Sequence, residues 1–426
     1  MLQIYVGVTE PGEEGKRGIG KEEDPSSPFP LFPFSPLPPT LSRMPDIAII
    51  GGGIGGLSTA IALRQHGFEA EVFEQAPVLL DLGAAIALWP NAMRTLQHLQ
   101  IAEQVLDAAG VINEIQWLTH DGRTINSIRI DNPNTTAVAV HRADLQRILL
   151  NSLPSSVVHL GHSSLGLEHG IESTTVNFND SPSVVCRYVI GADGVHSQIR
   201  SQIKDKQVDR FRGYIVWRGI SSTTPDKVPS DTAMEFHGRG KRFGIGPVGH
   251  RRVGWWAAAN TNLEDFVVHE SIVDAHDELL ELFEGWHSPI LDLIRSTPTI
   301  LRTEASDRPS STSWGRGRTT LLGDAIHPTT PNLGQGGCMA IEDSLVLARC
   351  FSKYGLSLDA LRAYERVRHA RTSAITFVSR LYGEIGQWEN GFATAARSKL
   401  IGALPTVLIQ QLMKPVFDYD AATVRI

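Results

Sequence analysis

The segment IAIIGGGIGGLSTAIALRQHG, residues 47–67, constrains the fold of this chain more than any other. Ile47, Ile49 and Ile50 in a continuous apolar run read as a buried strand, and the uncharged stretch from Leu57 to Leu63 reads as a helix with Gly67 as its C-cap. EAEVFE, residues 69–74, returns as a second strand and completes a βαβ unit. Between strand and helix, Gly51, Gly53 and Gly56 keep the spacing G-x-G-x-x-G, with Gly55 inside the same turn. Such a turn brings backbone N–H groups against a pyrophosphate at a helix N-terminus, where the dipole favours negative charge. Glu74 closes the second strand 18 residues after Gly56, where a carboxylate can accept hydrogen bonds from both hydroxyls of a ribose. Strand, turn, helix and acid in register point to a bound dinucleotide. The charge-free run from Ile47 to Leu63 is too short, and too interrupted by glycine, for an integral membrane span.

A second G-x-G-x-x-G, at Gly244, Gly246 and Gly249, lacks this context, because Pro247 lies inside it and the strand-like HRRVGWWAAA follows. Beyond the βαβ unit, helices are expected over Asn91–Leu99 and Ala143–Asn151, and hairpins over Glu114–Ile130 and Thr174–Ile190, the first turning at Asp121-Gly122. From Phe211 to Ala259 short β-rich runs dominate, so a largely antiparallel sheet is expected there. A strand over Thr319–Gly323, a helix over Gly336–Phe351 and a long helix capped by Ser357 restore the α/β pattern. The arginines and Glu365 of that last helix read as a solvated or interdomain ion-pair face. PSSPFPLFPFSPLPP, residues 25–39, suits neither helix nor central strand, so residues 1–43 read as a disordered, Pro-rich extension.

With 426 residues, 42% hydrophobic and a net charge of −7, the chain is an ordinary globular one for which nucleic acid is a poor partner. Cys186, Cys338 and Cys350 lack the spacing of a metal site, so no metal is expected, and their scarcity fits a reducing compartment, with cytoplasm as the default. The N-terminus has neither the apolar core of a signal peptide nor the composition of a transit peptide.

Two further segments, CRYVIGADGVHSQIR (186–200) and RTTLLGDAIHPTTPNLGQGGCMAIEDSLVLA (318–348), together with the glycine turn and GAAIALWPNA (83–92), resemble the fingerprints of the single-component FAD-dependent aromatic hydroxylases. This is the group A flavoprotein monooxygenase family with the p-hydroxybenzoate hydroxylase fold, whose branches include urate hydroxylases, salicylate hydroxylases and zeaxanthin epoxidases. The resemblance spans Met44 to Arg371 and implies a Rossmann-like α/β FAD-binding domain, interrupted by a mainly antiparallel β-sheet substrate domain and followed by C-terminal helices. The corresponding division gives residues 44–110, 136–203 and 300–372 to the FAD-binding domain, 111–135 and 204–299 to the substrate domain, and 373–426 to a C-terminal helical segment.

The resemblance implies FAD as cofactor, NAD(P)H as co-substrate, and hydroxylation of a small aromatic or heteroaromatic substrate by O2 through a flavin C4a-hydroperoxide. An alkene-bearing isoprenoid as substrate, or a flavin-binding protein without turnover, are the alternatives. Implied flavin contacts are Arg142 in HRADLQ, Asp193 and Gly194 near the pyrophosphate or NAD(P)H, Gly323 and Asp324 near the ribityl chain, and the N–H groups of Leu333 and Gly334 at the flavin edge. Pro331 is expected at the ring's reactive edge, and His327 is expected to be structural. For substrate, Arg242 and Arg218 are the candidates, set among Trp217, Phe243, Trp255 and Trp256, and Arg242 is expected to stand apart from the FAD segments. Asn332 and Gly254 stand where the urate-hydroxylase branch has an acid and a tyrosine, which argues against urate. The oligomer is expected to be a monomer or homodimer.

Overall fold

A computed structural model of the protein describes residues 44–78, 84–130, 136–204, 209–222, 228–262 and 272–426. The extension expected over residues 1–43 lies outside the described residues. Five parallel strands form the first sheet, in the order Thr319–Leu321, Tyr188–Gly191, Ile47–Ile50, Ala70–Phe73, Val158–His159. Its central strand, Ile47–Ile50, is buried throughout, as a strand covered on both faces must be. Helices Ile54–Gln65 and Gly336–Tyr354 pack against each other. Gly55 permits that approach, since a Cβ there would lie 2.9 Å from Leu322 Cδ2 and 3.3 Å from the Ala340 Cβ.

The hairpin expected over Thr174–Ile190 is only partly formed. Thr174–Asn179 turns back onto Val184–Cys186, but Tyr188–Gly191 leaves the hairpin and joins the parallel sheet beside Ile47–Ile50. Its residues are buried on both faces, which a strand at the edge of a solvated hairpin would not be.

The second sheet has seven strands, ordered Ile300–Asp307, Arg210–Ser221, Val253–Asn260, Lys241–Pro247, Thr232–His237, Glu114–Thr119, Thr124–Arg129. All neighbours are antiparallel except Thr232–His237 with Glu114–Thr119. Residues 300–307 therefore do not go with the FAD-binding sheet, as the sequence division had them, because they pair along Arg210–Ser221. Side chains alternate across this sheet with period two. One face, with Trp217, Phe236, Phe243 and Trp255, packs on Leu279 of the helix Ile272–Leu282, on Phe283 just past its end, and on Ile290 and Leu293 of the helix Ile290–Arg295. The other carries Tyr214, Val216, Arg218, Glu235, Arg242 and Trp256, in register across four strands. Trp217, Phe243 and Trp255 are thus core residues turned away from the arginines, and Trp256 alone of that aromatic set shares their face.

Ser357 Oγ accepts from Ala360 N at 3.2 Å and starts the helix Leu358–Gly386. Of the solvated or interdomain ion-pair face expected on this helix, Arg368 forms the ion pairs but not in solvent, being fully buried between Asp343 and Glu342. Helices Gly391–Ala403 and Thr406–Phe417 end the fold, both lying on the strand Thr124–Arg129.

Candidate active site

Close backbone approaches shape the glycine turn. Gly51, at φ +111°, lies where a Cβ would sit 2.4 Å from Ala192 O, and a Cβ on Gly56 would sit 1.9 Å from Gly51 O. Only glycine allows the strand, the turn and the Ala192-Asp193 segment to lie this close. At Gly53 a Cβ would meet nothing within 4 Å. Gly53 is also the N-cap of the helix Ile54–Gln65, which has no side-chain cap, so the helix N-terminus opens onto free space. Glu74 borders that space, its carboxylate accepting from Gly52 N at 2.5 Å and Ala76 N at 2.9 Å. Gln146 Nε2 donates to Gly52 O at 2.9 Å and ties the helix Arg142–Asn151 to the turn.

Arg142 lies within electrostatic reach of both Arg218 and Asp324. Asp324 is solvent-accessible, yet the surrounding protein desolvates its carboxyl and raises its pKa, against the pull of His327, Arg142 and Arg308. Its carboxylate has no hydrogen-bond partner among the described residues. Desolvation, with the Arg142 charge, lowers the Arg218 guanidinium, whose one side-chain bond among the described residues is to Thr303 Oγ1 at 2.9 Å. Two cations and a carboxylate gathered here form a set of hydrogen-bond donors and acceptors suited to a polar ligand. An FAD fits this set: the Gly53 opening suits a pyrophosphate, Glu74 a ribose, Asp324 ribityl hydroxyls, and Arg142 the flavin's electron-rich edge.

The second fingerprint serves the fold as well. Asp193 accepts from Ser197 Oγ at 2.5 Å and Ile199 N at 3.1 Å, capping the helix Gln198–Ile203, and burial raises its pKa. Gly194, at φ +76°, leaves open space beside that cap.

The turn Pro331–Leu333 is held from several sides. Thr330 Oγ1 and Ser379 Oγ lie 2.9 Å apart, Asn332 Nδ2 donates to Ser379 O at 2.8 Å, and Trp89 Nε1 donates to Leu333 O at 2.9 Å. Gly334, at φ +60°, gives its N–H to Pro331 O at 3.0 Å. This bond closes the turn, so a flavin at this edge would share the Gly334 N–H with Pro331 O. Beneath the turn runs a buried network. Asp343 accepts from Gly323 N at 3.0 Å and Arg368 Nε at 2.5 Å, and its Oδ2 lies 2.7 Å from His327 Nε2. Arg368 and Asn91 both donate to Glu342, and Asn91 also donates to Gln335 Oε1 at 2.9 Å. Burial alone would raise Asp343, but the charges of His327 and Arg368 hold it down at about 2.

Arg242 does not stand apart from the FAD segments, as the sequence suggested. It is fully buried and donates to Gln387 Oε1 at 2.8 Å, Glu235 Oε1 at 3.1 Å and Asn332 Oδ1 at 2.6 Å, the last within the third fingerprint. Its guanidinium also stacks near Trp256, 5.3 Å from the ring centroid. Tyr214 OH exchanges hydrogen bonds with Asn332 at 2.9–3.1 Å, and Tyr382 OH donates to Glu235 at 2.7 Å. Sequence reading missed Tyr214, Glu235, Tyr382, Gln387 and the Asp343–Arg368 pair. Tyr214 alone had a signal, lying four residues before Arg218 on the same strand face.

The dinucleotide turn, the charged set and the facing sheet define a flavoprotein. The chain belongs to the family described as "FAD binding domain", whose model matches residues 44–378. It is 38% identical, over 83% of this chain and 93% of the relative, to the aurachin C monooxygenase/isomerase of Stigmatella aurantiaca. With the FAD-dependent urate hydroxylase of Klebsiella pneumoniae it shares 31% identity over 78% of this chain and 88% of that protein. The crystal structure of Klebsiella pneumoniae HpxO with FAD and uric acid superposes with a TM-score of 0.81 at 30% identity, covering 88% of this chain and 96% of the other. The chain is an FAD-dependent monooxygenase with the aromatic-hydroxylase fold.

Proposed function

We infer that the substrate, a small electron-rich aromatic or heteroaromatic ring, lies between the Pro331–Leu333 turn and the sheet face bearing Tyr214, Arg218 and Trp256. The observation that carries this reading is Arg218, a half-buried cation bonded to a threonine and matched by no carboxylate among the described residues. An anionic or tautomeric oxygen on the ring supplies the missing acceptor. When bound and reduced by NAD(P)H, FAD supplies the activation of O2 and the transfer of one oxygen atom. Gly53, Glu74, Arg142, Asp193, Gly194, Asp324 and Leu333 hold it and orient its ring system. Pro331 presents a rigid edge that excludes water from the reacting face. Arg242 acts as a positioning residue, since its bond to Asn332 fixes the turn against the sheet. The division of the chain follows the two sheets: the FAD-binding part from Met44, and the substrate part including residues 111–135, 204–299 and also 300–307.

Arg218→Met and Arg242→Met separate these roles. Loss of a charge-assisted hydrogen bond, about 1.5–3 kcal/mol, predicts that Arg218→Met raises KM roughly ten- to a hundred-fold while flavin content stays at the wild-type level. Arg242→Met is expected to keep FAD but to divert NAD(P)H oxidation into hydrogen peroxide. If Arg218→Met retained wild-type KM and product yield, the ring would have to lie elsewhere.

A further inference from the structure

The two C-terminal helices cover one edge of the seven-stranded sheet. Asn126 Nδ2 donates to Ile401 O at 2.7 Å and Leu404 O at 3.0 Å, and Gln410 Nε2 donates to Arg129 O at 3.1 Å, so both helices are pinned to the same strand. Ile409 and Val416 point into the fold and are buried. The outward side remains apolar: Phe392 is 85% exposed, Leu400 67%, Val407 63% and Leu412 62%. Trp388, at the junction with the long helix, is exposed beside them. Large aliphatic and aromatic side chains at this exposure, grouped on consecutive helices, exceed the scatter of single surface hydrophobics.

Charge on this surface is one-sided. From Asn390 to Phe417 there is no Asp or Glu, and Lys399 and Lys414 are exposed; exposed Glu389 and Asp418 lie just outside the two ends of this segment, on a chain whose net charge is −7. Arg397, the third cation of the segment, is buried and donates to Gly386 O at 2.6 Å, which locks the first helix in place. No single helix among the described residues is long and apolar enough to cross a membrane, and these two meet at 96°. Such a bend presents two short helical faces with exposed apolar side chains rather than one span. Apolar side chains flanked by lysines on helices lying side-on suit the boundary of headgroups and acyl chains, where the lysines meet lipid phosphates.

We propose that the outward faces of Gly391–Ala403 and Thr406–Phe417 dock this enzyme on the surface of an anionic lipid bilayer. A second copy of the chain would also bury the apolar side chains, but it would bring the lysines of the two copies together with no acid within either helix to offset them, the flanking Glu389 and Asp418 lying beyond the helix ends. The lysines therefore favour the lipid. The inward side of the second helix packs beside Trp117, which donates to Tyr382 next to Arg242, so this helix lies between the docking surface and the substrate face.

The test is flotation of the FAD-loaded protein with vesicles of phosphatidylcholine, with and without phosphatidylglycerol. The protein is expected to float with the phosphatidylglycerol vesicles and markedly less with neutral ones. Leu400→Glu with Leu412→Glu should abolish flotation at unchanged flavin content. Lys399→Gln with Lys414→Gln should weaken partitioning about 25-fold, near fivefold per lysine. Absence of flotation with either vesicle overturns the proposal. So does a wild-type dimer that fails to float and that the glutamate pair converts to monomer, which would assign the face to self-association. If the glutamate pair loses flavin, the lysine pair decides: unchanged partitioning in that variant also overturns the proposal.

Discussion

Replacing Arg368 with methionine removes the one cation that touches both buried carboxylates beneath the flavin turn. In the wild-type protein Arg368, Asp343 and Glu342 are all fully buried, and the guanidinium reaches Asp343 at 2.5 Å and Glu342 at 2.7 Å. Taking one partner from a buried ion pair costs about 3–5 kcal/mol, because the remaining charge is left in a medium that solvates it poorly. Here the lower end applies. Asp343 keeps His327 and Gly323 N, and Glu342 keeps Asn91 and Arg371, so each acid retains part of its compensation. A loss of about 3 kcal/mol corresponds, for a folded unit of this size, to a fall in melting temperature of roughly 4 °C. Because Asp343 also fixes Gly323 N, and Glu342 reaches Gln335 through Asn91, flavin affinity should drop with stability. Melting curves and FAD titration of the apoprotein measure the two effects. Arg371→Met, at the rim of the same network, is the reference and should cost less. If Arg368→Met melted within a degree or two of wild type and bound FAD equally well, the network would not support the turn.

Gly53→Val should fold, since its Cβ meets nothing within 4 Å, yet purify colourless because the side chain fills the space before the helix N-terminus; full flavin retention would refute that placement. Gly56→Val should instead fail to fold, with its Cβ forced against Gly51 O, as expression and circular dichroism would show. Burial holds the His237 imidazole down at about 4. Because an unfolded histidine takes up its proton near pH 6.5, the stability from keeping His237 neutral is complete above that pH and is lost as pH falls from 6.5 to 4. The loss is about 3 kcal/mol, and His237→Gln should flatten that part of the pH–melting profile. Asp343, held at about 2, acts in a different window: its contribution is present above about pH 4 and disappears between 4 and 2.

The parts of this fold that depend on local chemistry were legible in the chain. An apolar run followed by a glycine turn and an uncharged helix can form little else, and Glu74 stood where a ribose partner belongs. Long-range partners were not legible. Thr232–His237 pairs in parallel with Glu114–Thr119 across more than a hundred residues, and Tyr188–Gly191 leaves its hairpin for another sheet. Neither choice leaves a mark on local periodicity. Period two could have separated Trp256 from Trp217 and Trp255, but only once the strand was known to face the flavin site. The partners of Arg242 lie 7, 90 and 145 residues away, so a buried arginine read as a free one.

Product analysis under labelled dioxygen tests the central claim most directly. Purified FAD-loaded protein is given NADPH, 18O2 and a panel of small phenols and N-heterocycles, and each product is weighed by mass spectrometry. A substrate is expected that stimulates NADPH oxidation and gains one 18O per NADPH consumed, with labelled product at substrate levels below KM falling roughly ten- to a hundred-fold when Arg218 is methionine. A product whose new oxygen comes from water, or a flavin that is reduced and reoxidised without any substrate gaining oxygen, would contradict the claim.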